Sequence, residues 1–538
     1  MTSEEQNKPD NRPRPTTDEF RAFVASGWAP RRTDRPARAE VADFAERRRA
    51  AVSERFPGER LVIPAGGLKV RSNDTDYVFR PHSAFAHLTG LGGDREPDAV
   101  LVLEPTEGGH EAILYFRPLA GRDTEEFFGD ARYGEFWVGA RPTLEDVESE
   151  LGLSARHIDQ LGDALAKDLG TVGMRVVRDA DRDVTARVDA ARASVATDAQ
   201  AGAEARTETE TRTDTQSETQ TETQARTETE TQGESRVEAE QSADQELAAF
   251  LSLLRLVKDQ WEIEQMRDAI EGTRKGFEAV IADLPEAIRL GRGERWVEGV
   301  FGLHARHHGN GIGYDSICAS GDHANTLHWI KNTGDVNEGD LLLLDAGVEV
   351  DSLFTADITR TLPVSGTFTD AQRKIYDAVY AAQEAGLAAV KPGNKFSDVH
   401  AAAIRVIAEH LHEWGLLPEG VDVEATLDTE HGQYHRRWMV HGTSHHLGID
   451  VHDCALATRE QYLDAELRPG MILTVEPGLY FKADDELVPA EFRGNGVRIE
   501  DDVLVTEDGC ENLSAAMPRT SADVEEWIAG IWASKPTA

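Results

Sequence analysis

Four acidic side chains and a histidine-rich loop lie in the second half of the chain. The acids are Asp345, Asp357, Glu476 and Glu500, and the loop spans residues 441–453. Carboxylate oxygens combined with an imidazole are ligands that hard to borderline divalent ions such as manganese prefer. Four clustered carboxylates carry about four negative charges, which two divalent cations would balance. The residue types therefore predict a site for two divalent metal ions, with Mn²⁺ as the first candidate.

The first two acids lie at the ends of strands that are predicted to be neighbours. Asp345 ends the run of four leucines at 341–344, and Asp357 opens the segment 357–363, twelve residues later. This separation is typical of two antiparallel strands joined by a turn. A hairpin would bring both carboxylates to one place.

The other two acids are also associated with strand-like segments. Glu476 comes directly after the predicted strand 471–475, and Glu500 lies within the predicted strand 497–506. Because side chains alternate along a strand, Arg498 and Glu500 are expected on one face and the apolar residues between and before them on the other. This alternation predicts that Arg498 lies beside the acidic cluster.

Each of these residues, taken alone, also has a structural explanation. An Asp after a strand is usually a turn former, and a single Glu on a strand is more often solvated or paired with a cation. A histidine in a glycine-containing loop is more often structural than a ligand. The order Asp, Asp, His, Glu, Glu within about 155 residues, each in its own motif, favours the metal site.

Five short segments resemble the successive signature segments of the proline-specific aminopeptidases (aminopeptidase P) of metallopeptidase family M24B. They are Leu344-Asp-Ala-Gly347, Asp357-Ile-Thr-Arg-Thr361, His441-Gly-Thr-Ser-His445, Val475-Glu-Pro-Gly-Leu-Tyr480 and Val497-Arg-Ile-Glu-Asp-Asp502. Residues 79–90 and 97–103 are similar to the family's amino-terminal domain, and residues 257–262 resemble the entry to its catalytic domain. The resemblance implies an Xaa-Pro aminopeptidase, which releases the first residue from peptides with proline at the second position.

The resemblance also implies a set of metal ligands. Asp357 and Glu500 would bridge the two ions, Asp345 would complete one site, and His445 with Glu476 would complete the other. A water held between two such metals is a nucleophile at neutral pH.

Further residues are implied to act in catalysis. Glu476 would relay a proton to the leaving proline nitrogen, while His328 and His452 would donate hydrogen bonds to the oxyanion or position the substrate. His441 and Arg498 fall at other active-site positions of the family.

Some positions leave alternatives open. His446 follows the ligand histidine, so the choice between His445 and His446 rests on the motif alone. Tyr480 is a lower-ranked site candidate. His304 and His308, four residues apart, form a rival metal motif, but no acidic partner accompanies them and solvation on a helix explains them.

The sequence favours an aminopeptidase over four other functions. A prolidase shares the fold and the ligands, but its motif has Gly before the ligand histidine and Glu after the later one, whereas here Ser444 precedes His445 and Asp453 follows His452. Methionine aminopeptidases usually lack such an amino-terminal domain, and creatinases lack the metal set. A non-catalytic binding protein of this fold would be expected to lose ligands, yet all five positions are filled.

The expected fold class is α/β, with a mixed α/β amino-terminal domain followed by a pita-bread (creatinase/aminopeptidase) catalytic domain. A disordered tail is predicted at 1–17, the amino-terminal domain at 18–195 and the catalytic domain at 246–530. Between the two domains, residues 196–245 are predicted to be a disordered insertion rich in Thr, Glu and Gln. Strict Thr/Glu alternation there leaves neither face apolar enough to bury.

Composition limits the partners. A formal net charge of -41 repels phosphates, so no nucleic acid partner is expected. Three cysteines without a CxxC spacing argue against a disulfide framework or a thiolate zinc site. The first 20 residues lack the apolar run of a signal peptide or membrane anchor, which predicts a cytoplasmic protein without a membrane partner. By resemblance, a homo-oligomer (dimer or tetramer) is expected.

Overall fold

Apolar runs separated by turn-forming residues fold into two units in the computed structural model, which describes residues 17–73, 75–195 and 218–534. Side chains within 218–235 are outside this description. The first unit comprises Met1–Gly90 and Glu96–Glu240, and the second comprises Leu91–Arg95 and Gln241–Ala538. Among the described residues, no helix is long and apolar enough to cross a membrane.

The first unit is built around one mixed sheet of five strands. Their order across the sheet is Ser154–His157, Gly109–Phe116, Val100–Thr106, Arg60–Pro64 and Met174–Val176. The three central strands pair antiparallel and both outer strands pair parallel to their neighbours. A short antiparallel pair joins Val70–Ser72 to Thr75–Asp76. The helices lie at Asp18–Ala25, Val41–Arg55, Ser83–Thr89, Glu125–Gly129, Glu135–Val138, Leu144–Leu151, Leu161–Ala166 and 182–195.

A buried antiparallel sheet in the second unit confirms the predicted hairpin. Leu341–Ala346 pairs with Ile358–Pro363 on one side and with Ile317–Ser320 on the other, and Asp345 lies opposite Thr359. Every residue of Leu341–Ala346 is buried, because both faces are covered. The strand is therefore a rigid support for the carboxylate near its end.

The predicted strand 497–506 is two strands instead of one. Asn495–Arg498 pairs with Gly478–Phe481, whereas Asp501–Val505 pairs with Ile472–Val475. The chain changes partner at this break, where the Glu500 N–H donates to the carbonyl of Thr359 at 3.1 Å. The alternation of side chains along a single strand therefore does not give the orientation of Glu500. This residue lies where the chain passes from one sheet to the next. A further strand, Cys510–Asn512, extends the second sheet.

Helices cover these sheets and supply most of the apolar core. Asp370–Ala389 and Phe396–Glu413 bury Ile375, Val379, Ile404, Ile407 and Leu411 in one cluster that includes the hairpin leucines. The other helices are Gln260–Leu290, Gly293–His308, Val423–Leu427, Arg459–Tyr462 and Ser521–Ser534, with short 3₁₀ turns at Gly321–Asn325 and Tyr434–Arg437. The two remaining short strands, Gly311–Ile312 and Val348–Glu349, pair with each other.

The prediction of a disordered insertion at 196–245 differs from the structure over its second part. A single helix spans Glu218–Leu254, and residues 196–217 are outside the described residues. At its carboxyl end the helix buries Asp244, Leu247 and Leu251. These buried residues give the helix tertiary support, which local composition cannot reveal.

Candidate metal centre

Two aspartates meet at the end of the hairpin and share one hydroxyl donor. The hydroxyl of Tyr314 lies 2.7 Å from Oδ1 of Asp345 and 2.5 Å from Oδ1 of Asp357. Tyr314 lies just before the strand Ile317–Ser320, outside every motif used in the sequence analysis. Only the antiparallel pairing of that strand with the hairpin brings the tyrosine to the two acids.

His445 lies on the opposite side of the cluster, beside three of the acids. Its Nε2 atom is 3.2 Å from Asp357 Oδ2, 3.8 Å from Glu476 Oε1 and 4.0 Å from Glu500 Oε1. The loop that carries His445 lies alongside the strand Ile472–Val475. The His445 N–H donates to the Thr474 hydroxyl, and the His445 carbonyl accepts from the Thr474 N–H. This pairing fixes His445 and Glu476 side by side.

The adjacent histidine points away from the acids. His446 is buried between the rings of Phe396 and Tyr462, with centroids 4.7 and 4.8 Å away, and its Nδ1 lies 3.3 Å from the carbonyl of Ile472. Burial lowers the pKa of His446 to about 3, so the ring is neutral. The geometry therefore separates the two candidates: His445 faces the acids and His446 is a core residue.

Ligand atoms of the predicted set converge in three overlapping groups. Within each group the atoms lie within 4.8 Å of one another. The groups are Asp345, Asp357 and Glu500; His445, Glu476 and Glu500; and Asp357, His445 and His452. Asp357, His445 and Glu500 each belong to two groups, so the three groups form one continuous cluster. His304 and His308 belong to none of the groups found among the described residues.

Burial and mutual repulsion raise the pKa values of Asp345, Glu476 and Glu500. Burial raises the pKa of Glu476 to about 7, with Asp357 and Asp345 adding to the rise and His445 and Arg498 opposing it. Burial and the charges of Asp357, Glu476 and Asp345 also raise the pKa of Glu500 well above its usual range. Clustered carboxylates are thus destabilised as anions until positive charge is supplied.

The histidine responds in the opposite direction. Burial alone would lower the pKa of His445, but its hydrogen bond to Asp357 and the charges of Asp357 and Glu476 raise it to about 9. The acids therefore attract positive charge to the position of this ring, whether a proton or another cation.

Arg498 links the acids to a second histidine. One of its Nη atoms donates to Asp345, the other donates to the Tyr480 hydroxyl at 3.1 Å, and Nε donates to the Thr359 hydroxyl at 3.1 Å. The Tyr480 hydroxyl lies 2.7 Å from Nε2 of His441. All the residues of this network except Thr359 were singled out from the sequence.

His441 is held neutral with a defined tautomer. Its Nδ1 lies 2.6 Å from the Gly442 carbonyl, which can only accept, so Nδ1 carries the proton and Nε2 accepts from Tyr480. Burial, together with the charge of Arg498, lowers the pKa of His441 to about 3. His441 is also 3.6 Å from Glu476.

Two exposed histidines lie at the rim of the cluster. The ring of His452 is 4.2 Å from that of His445, centroid to centroid. His328 follows the 3₁₀ turn Gly321–Asn325 and lies close enough to His441 and His452 for its charge to lower the pKa of both, although burial is the larger cause. All the site residues expected from the sequence therefore gather in one place.

Comparison with known families gives two matches along the chain. Residues 264–507 match metallopeptidase family M24, and residues 44–176 match the aminopeptidase P N-terminal domain. The first match includes all five predicted ligands.

Known relatives match over nearly the full length. Xaa-Pro aminopeptidase 1 of Streptomyces coelicolor is 47% identical over 516 residues, which cover 96% of this chain and 93% of the relative. The Xaa-Pro aminopeptidase of Escherichia coli is 31% identical over 90% of this chain and 96% of its own length. A solved structure of zinc-substituted E. coli aminopeptidase P in complex with product superimposes with a TM-score of 0.73 at 28% identity, covering 92% of this chain and 99% of that chain.

Proposed function

The chain belongs to the Xaa-Pro aminopeptidases of metallopeptidase family M24, and we propose that its acidic cluster is the site that releases the first residue from peptides whose second residue is proline. An aminopeptidase P N-terminal domain followed by an M24 catalytic domain confirms the predicted mixed α/β fold class. The observation that carries the proposal is the convergence of four carboxylates and one imidazole. Their ligand atoms form groups in which all atoms lie within 4.8 Å of one another, and all five residues belong to the segment 264–507 that matches family M24.

Two divalent metal ions fit the cluster by charge and by donor type. In the proposed assignment Asp357 and Glu500 would be shared by the two ions, Asp345 would complete one site, and His445 with Glu476 would complete the other. Asp345 converges with Asp357 and Glu500, and His445 with Glu476 converges with Glu500, which supports this division. Cations would offset the burial and the mutual repulsion that raise the pKa of Glu476 and Glu500. Mn²⁺ is the proposed metal, because oxygen donors predominate.

When bound, such ions supply an activated water at neutral pH and polarise the scissile carbonyl. The chain's own residues do the rest. Glu476 borders the cluster and is placed to carry a proton to the leaving proline nitrogen. His328 and His452, exposed at the rim, donate hydrogen bonds to the substrate carbonyl. Neutral His441, oriented by Tyr480, holds the peptide beside Glu476.

An Xaa-Pro dipeptidase is the alternative on the same scaffold. The motif favours the aminopeptidase, since Ser444 precedes His445 and Asp453 follows His452. In the structure Asp453 is fully buried and receives a hydrogen bond from Nε of Arg255 at 2.9 Å. One oxygen of this carboxylate is thus engaged by Arg255 in the interior.

Peptide length separates the two activities. The test compares turnover of an Xaa-Pro dipeptide with that of the same sequence extended by two or three residues, using an Xaa-Ala series as the matched control. The proposal expects the longer Pro peptides to be cut and the Ala series to be poor, because proline's fixed φ and missing N–H allow a rigid pocket to select it. Cleavage of the dipeptide alone would establish the prolidase, and equal cleavage of both series would show an unselective aminopeptidase.

The proposal includes three further points: the identity of the metal, the oligomeric state and the cellular location. Metal analysis of the protein purified without added metal would test Mn²⁺ against other ions. Light scattering would test the expected dimer or tetramer, and cell fractionation would test a cytoplasmic location.

A further inference from the structure

The loop that carries His328 is attached to one buried carboxylate. Glu294 lies in the first turn of the helix Gly293–His308 and is fully buried. The backbone N–H of Glu294 donates to the carbonyl of Gly334, at the far end of the loop, with a distance of 3.2 Å. A buried carboxylate is costly unless it is fully hydrogen-bonded, so its donors are informative.

Four donors from the loop saturate this carboxylate. Oε1 accepts from the Ser320 N–H at 3.0 Å and from Nδ1 of His323 at 2.7 Å. Oε2 accepts from the indole N–H of Trp329 at 2.9 Å and from the Gly334 N–H. The donors span fifteen residues of sequence, counted from Ser320 to Gly334. One side chain therefore closes the whole loop.

Packing within the loop strengthens this attachment. The rings of His323 and Trp329 stack with centroids 3.9 Å apart and an angle of 25°. A Cβ at Gly334 would lie 2.8 Å from Oε2 of Glu294, so glycine is required there for the close approach. Trp329 itself is half-buried against the main apolar core.

The other side of the loop is attached to the strand that bears Tyr480. Nδ2 of Asn325 donates to the carbonyl of Phe481 at 3.2 Å, and Oδ1 of Asp322 accepts from the Ala483 N–H at 2.8 Å. The peptide around His328 thus lies between two fixed points, one on Glu294 and one on the strand Gly478–Phe481.

We propose that Glu294 and Trp329 are positioning residues that fix His328 at the rim of the metal centre. Trp329 is the next residue in the chain, so its hydrogen bond to Glu294 restrains the peptide unit that orients the His328 side chain. This inference rests on the proposed role of His328. Neither residue reaches the metal ligands, and both act through the loop.

The test uses Trp329→Phe, which keeps an aromatic ring against the core and deletes one hydrogen bond to Glu294. We expect kcat to fall about tenfold, because small displacements of a positioned group have effects of this size or larger. Bound metal per chain is expected to remain that of the parent, and the melting temperature to fall by only a few degrees, because Glu294 keeps three of its four donors. A loss of metal together with kcat would overturn the inference, since the effect would then reach the ligands.

A matched control is available on the same helix. Trp296 donates its indole N–H to Asp283 at 2.6 Å at the surface, away from the loop. Trp296→Phe deletes the same kind of bond and should leave kcat unchanged. Equal losses of kcat in Trp296→Phe and Trp329→Phe would overturn the inference.

A double variant separates positioning from any other effect. His328→Ala should lower kcat, and adding Trp329→Phe to it should cause no further loss, because the group being positioned is already gone. An additive loss would overturn the positioning role. If His328→Ala lowers kcat but Trp329→Phe does not, the inference alone fails. If His328→Ala keeps full activity, the proposed role of His328 is wrong and the inference falls with it.

Discussion

Arg360 and Asp501 form an ion pair 2.7 Å long in which both side chains are fully buried. The guanidinium also donates to the carbonyl of Glu500 at 2.7 Å and to that of Met517 at 3.0 Å. Gln383 donates to the other oxygen of Asp501 at 3.0 Å. The pair therefore holds the backbone on which the proposed bridging carboxylate lies.

Replacing Arg360 by Met is expected to destabilise the protein strongly. Removing Arg360 deletes the closer of two cationic partners of buried Asp501, since Arg519 Nε remains 3.3 Å from its Oδ2. Breaking a buried ion pair costs about 3–5 kcal/mol. The measurement is the shift of the urea unfolding midpoint. Arg405→Met removes an exposed pair with Glu424 and serves as control, expected within about 1 kcal/mol of the parent. Equal shifts in the two variants would contradict the prediction.

Tyr314→Phe is expected to lower kcat/KM and metal affinity about tenfold each. The variant deletes the hydroxyl that lies within hydrogen-bond distance of both Asp345 and Asp357, and groups that orient metal ligands typically contribute this much. Activity is titrated against added Mn²⁺ to separate the two effects. The control is Tyr376→Phe, which deletes another buried hydroxyl, bonded to the carbonyl of Arg519. If both variants behave alike, Tyr314 has no special role.

The sequence predicted the acids because their motifs are local. Leucines 341–344 and the segment after Asp357 each read as a strand, and a short connection makes a hairpin the natural result. Tyr314 and Glu294 could not be found in this way. Tyr314 meets the aspartates only through sheet pairing, and Glu294 meets its donors across 26 to 40 residues of chain.

The break at Glu500 shows a second limit of local patterns. Alternation along 497–506 correctly places Arg498 beside the cluster, as its bond to Asp345 confirms. Alternation cannot reveal that the chain leaves one sheet and enters another at Glu500, since this depends on the Thr359 carbonyl of a distant strand. Similarly, the polar composition before Asp244 concealed the helix Glu218–Leu254.

Glu500→Gln is expected to stabilise the metal-free protein while removing its response to Mn²⁺. The change deletes one of the mutually repelling buried charges, and the amide oxygen can still accept from the Thr359 hydroxyl. In the parent, excess metal should raise the melting temperature, with stabilisation of about 2.7 kcal/mol at a hundredfold excess over Kd. The measurement is the melting temperature of chelator-treated protein with and without Mn²⁺. A parent that does not respond to Mn²⁺ would contradict the assignment.

Stability should fall between about pH 6.5 and pH 4 partly because of His435. Its side chain is buried and its Nδ1 has no hydrogen-bond partner among the described residues. Burial, with smaller effects of His400 and Arg436, lowers the pKa of His435 to about 4. The unfolded chain therefore binds the proton first as pH falls, so stability present above the unfolded pKa of about 6.5 is progressively lost.

The variant His435→Asn isolates this effect. Unfolding free energy of parent and variant is measured from pH 7 to pH 4.5, and the parent is expected to lose on the order of 2 kcal/mol more than the variant. His412→Asn, at an exposed histidine, should follow the parent. Parallel pH profiles for parent and His435→Asn would show that His435 is not responsible.

Deleting residues 201–232 is expected to leave melting temperature and peptidase activity almost unchanged. Among the described side chains of the helix Glu218–Leu254, full burial begins at Asp244 and continues at Leu247. A contact joins the described chain on either side of the deletion, since Arg236 donates to the carbonyl of Arg192 at 2.9 Å. The shortened chain can therefore close without disturbing that contact.

By contrast, Leu247→Ala should cost about 2–5 kcal/mol, because it opens a cavity where the helix is buried. Unfolding of the deletion variant would show that the segment contributes tertiary contacts, and a tolerated Leu247→Ala would show that the helix does not depend on its carboxyl end.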